Sequence, residues 1–184
     1  MAFSYPRKKP RLEPGDVFNN ILKDEEFKDF TVESVEGTKF PCHRVILGAQ
    51  SSVLKRIFIT PMEEKNKSTL KQDYKADVVE KFVRFFYKND LEDGEENLRC
   101  YLELAEKYDI PHLKELVEKL SIKKINVENM VEMFLLADHL SAETLGKATK
   151  DFIETNKKKV RENLAEMEKL EKSQMMKIME ILCD

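Results

Sequence analysis

Between Asp29 and Glu64 the spacing of apolar residues changes character twice. Phe30 and Val32 alternate with Thr31, Glu33 and Val35, the two-residue period of a half-buried strand. Glu36-Gly37 then sits between Val35 and Thr38, and a glycine there accepts the positive φ of a tight two-residue hairpin turn. Thr38, Phe40 and Cys42 form the returning strand. Beyond them the period lengthens. Val45, Ile46, Leu47 and Ala49, followed by Val53, Leu54, Ile57 and Phe58, predict two short helices.

Helical spacing dominates the rest of the chain. Val17, Phe18, Ile21 and Leu22 make one face of a helix within residues 15–27. Residues 68–72 predict a short third strand. From Lys75 to Lys88, Val78, Val79, Phe82, Val83, Phe85 and Phe86 recur at helical spacing, with Asp77 complementing the dipole at the start. Leu98, Tyr101, Leu102, Ala105 and Tyr108 predict another helix. Pro111 restarts the pattern, which Leu113, Leu116, Val117 and Leu120 continue. Asn126 and Ser141 read as N-caps of two more helices, over Val127–Ala137 and Leu145–Ile153. Residues 157–184 carry Val160, Leu164, Met167, Leu170, Ile178 and Ile181, again at helical intervals.

Composition narrows the function classes. The 184 residues are 41 % hydrophobic and 36 % charged with both signs interspersed, which suits a core under a well-solvated, helix-rich surface. A net charge of −3 argues against a dedicated nucleic-acid binder. No apolar run approaches the roughly 20 residues that span a bilayer. Cys42, Cys100 and Cys183 are odd in number and widely spaced, as expected of a reducing intracellular compartment. Residues 1–14 lack periodicity and predict a disordered basic tail. Its Arg7-Lys8-Lys9-Pro10-Arg11 run is either a short nuclear-localisation patch or an ordinary charged tail.

The chain is poor in catalytic material. His43, His112 and His139 are the only histidines. Cys42 and His43 are adjacent on an extended segment and point to opposite faces, so they do not share a metal or a proton. Cys-x-x-Cys and His-Glu-x-x-His are absent, and the carboxylates are spread over helix surfaces. No catalytic residue, cofactor or metal ligand is expected.

The ordered set Asp29-Phe30, Gly37, Phe40, His43-Arg44-Val45-Ile46-Leu47-Gly48-Ala49, Ser51-Ser52, Leu54 and Phe58 resembles the opening of the BTB/POZ family. Ala105, Tyr108, Ile110 and Leu113 resemble the way such domains close. Ile125-Asn126-Val127, Leu135-Leu136-Ala137-Asp138, Leu145 and Phe152 look like the 3-box pair of the speckle-type POZ group, with a partial BACK-like bundle after it. The resemblance implies an α+β fold: a small sheet wrapped by helices over residues 15–122, then a helical extension over 123–184. It implies a buried structural role for His43. It also implies a homodimer interface built from Leu12, Val17, Phe18, Ile21 and Leu22, although this face equally suits packing on the chain's own core.

Met62-Glu63-Glu64 resembles the hydrophobic-x-Glu element of adaptors that bind the cullin-3 scaffold of a ubiquitin ligase. In that reading Met62 fills a pocket, Glu64 pairs at its rim, and exposed members of Val53, Ile57 and Phe58 widen the patch. Met130, Phe134 and Leu145 are further possible contributors. Such adaptors carry a MATH domain or Kelch repeats for substrate, and neither is recognised here. The expected function is a non-enzymatic adaptor, nuclear or cytoplasmic, that homodimerises, binds cullin-3 and recruits a protein substrate, without nucleic-acid or membrane binding. The alternative is an oligomerisation module without cullin binding, in nuclear transcription regulation.

Overall fold

The computed structural model describes residues 14–60, 68–91, 95–164, 176 and 178–181. Helix α1 (Pro14–Lys23) precedes strands β1 (Phe30–Glu33) and β2 (Lys39–Cys42). Helices α2 (Arg44–Gln50) and α3 (Ser52–Ile59) follow, then β3 (Thr69–Lys71). The remaining helices are α4 (Ala76–Lys88), α5 (Leu98–Lys107), α6 (Pro111–Ile122), α7 (Met130–His139), α8 (Glu143–Thr155) and α9 (Lys157–Leu164); residues 178–181 are also helical.

The sheet order is β2-β1-β3, with β1 antiparallel to β2 and parallel to β3. The hairpin differs from the two-residue turn expected at Glu36-Gly37. Ser34 donates its N–H to the Thr38 carbonyl and Gly37 donates to the Ser34 carbonyl, leaving three loop residues, with Gly37 at φ +82°. The extra residue sets the register. Val32 pairs with Phe40 and Phe30 with Cys42, so all four point to the core face. A two-residue loop would slip β2 by one position and turn Phe40 and Cys42 away. By the same alternation Pro41 turns its nitrogen, which has no hydrogen, to the open edge, where a proline is tolerated.

Helix α4 runs through the middle of the core and buries Val78, Val79, Phe82, Val83, Phe85, Phe86 and Tyr87 on most of its circumference. Its ring edges meet neighbours in tilted or edge-to-face pairs, as in Phe82 against Phe86 at 5.3 Å between centroids. Leu47 of α2, Leu54 of α3 and the inward face of α5 and α6 close over it.

The connections α5–α6 and α7–α8 are built alike. Each first helix ends in a left-handed residue, Asp109 (φ +50°) or Ser141 (φ +50°). The next N–H returns to the helix, Ile110 to the Ala105 carbonyl at 2.9 Å and Ala142 to the Ala137 carbonyl at 2.8 Å. This is the Schellman closure, with a buried apolar residue packed behind it. Ser141 is therefore the left-handed terminator of α7, and Ala142 precedes α8, where an N-cap role for Ser141 was expected. Asn129, where Asn126 was expected, holds the N-cap position of α7, and Asn126 organises the turn before it. Its Oδ1 accepts from the N–H groups of Glu128 and Asn129, while Asn129 Oδ1 accepts the N–H of Asn126, a reciprocal capping box.

The core does not stop at the end of α6. Ala137, Leu140, Ala142 and Leu145, around the α7–α8 turn, belong to the same buried cluster as the sheet and α4. The far ends of α7 and α8 form a second cluster, in which Met130, Val131 and Ile153 meet Val160, Ile178 and Ile181.

Candidate functional site: apolar helix faces beside a basic groove

Leu47 is buried, and on a helix a residue two positions earlier lies on roughly the opposite side. Val45 accordingly points outward and is 75 % exposed. On α3 the buried Leu54 and half-buried Phe58 face inward, leaving Ile57 at 50 % and Ile59 at 69 % exposed. Val53 packs partly against the core, so of the α3 residues expected in a cullin contact Ile57 is the more available. Met62 and Glu64 lie outside the described residues, as does Leu12.

Between α2 and α3 lies an open groove of about 330 Å³, walled by Val45, Phe58 and Ile59 and edged by Arg44 and Lys55. Gly48 lies where the two helices meet; a Cβ on it would stand 3.4 Å from Phe58 Cδ2 and 3.5 Å from Lys55 Cα, in ordinary van der Waals contact. Arg44 is fixed at both ends. Its N–H donates to Asp29 Oδ1 at 2.8 Å, and its guanidinium lies 5.3 Å from the Phe30 ring and 5.6 Å from the Phe58 ring. Those two rings meet edge to face at 4.9 Å. With an apolar floor and two cations among its lining residues, the groove suits a partner segment that carries apolar and acidic side chains.

A second apolar face lies on α1. Ile21 and Leu22 pack against the chain's own core, facing α4, while Val17 and Phe18 are 40 % and 39 % exposed. The structure thus divides the expected dimer-interface residues into a core-packed pair, Ile21 and Leu22, and an exposed pair, Val17 and Phe18. Of the extension residues, Met130 and Leu145 are wholly buried and unavailable to a partner. Phe134 is half-buried and lines a shallow groove at the α7–α8 turn.

The two candidate reactive side chains at the β2–α2 junction are buried. His43 is buried; its N–H donates to the Tyr87 hydroxyl at 3.0 Å, and its Nδ1 lies 2.7 Å from the same oxygen. Burial pushes the Tyr87 phenol up to about 12, so it stays protonated well into the alkaline range. Burial likewise pushes the Cys42 thiol up to about 12, which removes it as a nucleophile or thiolate ligand. Among the described residues no group of three or more His, Cys, Asp or Glu side chains is placed to hold a metal ion, and no helix is long and apolar enough to cross a membrane.

Sequence reasoning missed Val45, Ile59 and the Arg44–Lys55 edge. The available signal was face, since an apolar residue half a turn from a buried leucine has no core to occupy.

The BTB/POZ domain family model matches residues 18–125. Among curated proteins, Kelch-like protein 23 of Mus musculus is 29 % identical over 130 residues, covering 70 % of this chain and 23 % of that protein. Kelch-like protein 40 of Xenopus tropicalis is 27 % identical over 139 residues, covering 75 % of this chain and 22 % of its own length. The chain thus spans less than a quarter of the length of these relatives. They bear Kelch-like names, whereas the helical pair by itself resembled the speckle-type group. The family model covers more than half of the chain, the small three-stranded sheet among helices fits its α+β fold, and the chain belongs to the BTB/POZ domain family.

Proposed function

We propose that this chain is a non-enzymatic protein-interaction adaptor that self-associates through α1 and binds the cullin-3 scaffold, bringing a protein substrate to ubiquitination. In this reading residues 15–122 are the BTB unit and 123–184 a helical extension of the 3-box and BACK kind. The observation that carries the reading is the outward apolar face of α3, Ile57 and Ile59, beside the basic-edged groove and immediately before Met62-Glu63-Glu64. Exposed apolar residues grouped beside charged ones mark interaction sites more often than chance surface. Val17 and Phe18 supply the self-association face, and two chains in one assembly raise avidity for multivalent targets. Membership in the BTB/POZ family and the Kelch-like relatives favour this class over an enzyme. The adaptor acts in the nucleus or cytoplasm and needs no cofactor, nucleic acid or membrane.

The test is capture of purified cullin-3 by the purified chain. Wild type binds; Met62→Ala with Glu64→Ala, and separately Ile57→Asp, weaken binding at least tenfold while the oligomeric state stays the same. Unchanged binding by both variants removes these residues from the account. Failure of the wild type to bind favours the oligomerisation module without a cullin role.

A further inference from the structure

Two side chains one turn apart on α6 hold the two sides of the α7–α8 turn: the C-terminus of α7 and the N-terminus of α8. Lys114 donates from Nζ to the carbonyl of Leu140, the residue that ends α7, at 2.8 Å, and to Glu106 Oε2 of α5 at 2.6 Å. Glu118 accepts the N–H of Leu145, in the first turn of α8, at 2.8 Å. Positions four apart on a helix share a face, so one face of α6 meets both helix ends at once.

Each charge suits the end it meets. A helix C-terminus presents unpaired carbonyls and partial negative charge, which Lys114 answers; a helix N-terminus presents unpaired N–H groups and partial positive charge, which Glu118 answers. Glu118 is buried, and a buried carboxylate is retained only where a partner compensates its desolvation. Leu113 and Val117 of the same helix join Ala137, Leu140 and Leu145 of the α7–α8 turn in one buried cluster.

We propose that Lys114 and Glu118 are a two-ended clamp that fixes the helical extension to the BTB fold, so that α7 and α8 are presented as one rigid body with α6 rather than as a hinged arm. The inference does not depend on cullin binding. Apolar contacts alone let two helices slide along their ridges. Two opposite charges, one on the helix end entering the turn and one on the helix end leaving it, oppose that sliding, because each bond fixes a different helix to the same face of α6. The second cluster, with α9 and residues 178–181, docks on the far ends of α7 and α8 and inherits their position.

The same device occurs one layer earlier. The carbonyl of Tyr108, which ends α5, accepts from the hydroxyl of Ser51, the N-cap of α3. Each helical hairpin is therefore held at its turn by a side chain from the layer before it, with hydroxyls at the first turn and full charges at the second.

Amide hydrogen exchange of the full chain, read residue by residue by NMR, tests the clamp. Glu118→Ala speeds exchange of the Leu145 amide and of α7–α8 at least tenfold while the amides of α4 keep their protection. Glu118→Gln, which keeps an acceptor oxygen but loses the charge, falls between alanine and wild type. Lys114→Met, which keeps the apolar stem on a partly exposed side chain, also speeds α7–α8 exchange. Unchanged α7–α8 exchange in the alanine and methionine variants overturns the clamp, and so does acceleration spread evenly over α4 and α8.

Discussion

The hydroxyl of Tyr87, on the last turns of α4, takes the backbone N–H of His43 at 3.0 Å and faces its Nδ1 at 2.7 Å. One phenol thereby closes the junction between β2 and α2, where the chain leaves the sheet and the N-cap position has no side-chain cap of its own. Tyr87→Phe leaves both His43 groups without this partner in a buried setting. The expected cost is about 1–3 kcal/mol, read from urea denaturation, with no change in helix content before the transition. A cost below about 0.5 kcal/mol would mean that water replaces the phenol at the junction.

Alkaline pH should weaken the fold early. Burial raises the Cys42 thiol from 9.0 to about 12 and the Tyr87 phenol from 10.0 to about 12, and it raises the Tyr74 and Tyr101 phenols as well. Between about pH 9 and 12 the unfolded chain gives up these protons and the folded chain keeps them. Their contribution is thus full below about pH 9 and is lost as pH rises through that window. Denaturation midpoints at pH 8, 9, 10 and 11 should fall progressively, and Cys42→Ala should flatten the first part of the fall. In the folded chain at pH 8, Cys42 should resist alkylation until denaturant exposes it.

Ser141→Gly separates the two roles considered for this residue. As the left-handed end of α7, Ser141 carries a steric cost that glycine lacks, so the substitution stabilises by about 0.5–1 kcal/mol, and Ser141→Val destabilises strongly. An N-cap serine would instead lose a few tenths of a kcal/mol on change to glycine. The sign of the shift in denaturation midpoint decides.

In the proposed reading, self-association and folding on α1 fall to different residues. Phe18→Asp should lower the mass seen by light scattering and leave thermal stability nearly unchanged. Ile21→Asp should lower stability by about 2 kcal/mol or more, because it places a carboxylate against the helix's own core contacts. A wild type that is monomeric at micromolar concentration removes the self-association claim.

Most of the fold was legible as period. Alternation placed β1 and β2, and helical spacing located α2 through α8 to within a few residues, because burial of one face is written at every turn of an amphipathic element. What escaped was position relative to other elements. Glu118 reads as one more surface glutamate on a charged helix, and nothing near it in sequence announces Leu145 as its partner. The hairpin loop escaped because Glu36-Gly37 suits a two-residue turn locally, and only the shared face of Phe40 and Cys42 selects three. Ser141 was ambiguous because serine is a common N-cap and a rarer left-handed residue. A comparison within the chain resolves it: Leu104-Ala105-Glu106-Lys107-Tyr108-Asp109-Ile110-Pro111-His112-Leu113 runs parallel to Leu136-Ala137-Asp138-His139-Leu140-Ser141-Ala142-Glu143-Thr144-Leu145. In that alignment Ser141 stands where Asp109 stands, and both turns carry the same backbone. At the candidate site, the outward faces of Val45 and Ile59 were missed although helix angle alone carries them, while the cations edging the groove needed the packing of α2 on α3.

The likeness of the two Schellman turns bears on the order in which the chain assembles. The α5–α6 and α7–α8 hairpins each close over a short stretch of sequence, whereas β1 must find β3 across the intervening α2 and α3, pairing Thr31 with Thr69. Loop-closure entropy favours the near pairs, so the hairpins gain structure early and the parallel strand pair is sealed late. A kinetic lag that appears in β1–β3 amides but not in the two turns would be the mark of a molecule that grows from its helical half toward its sheet.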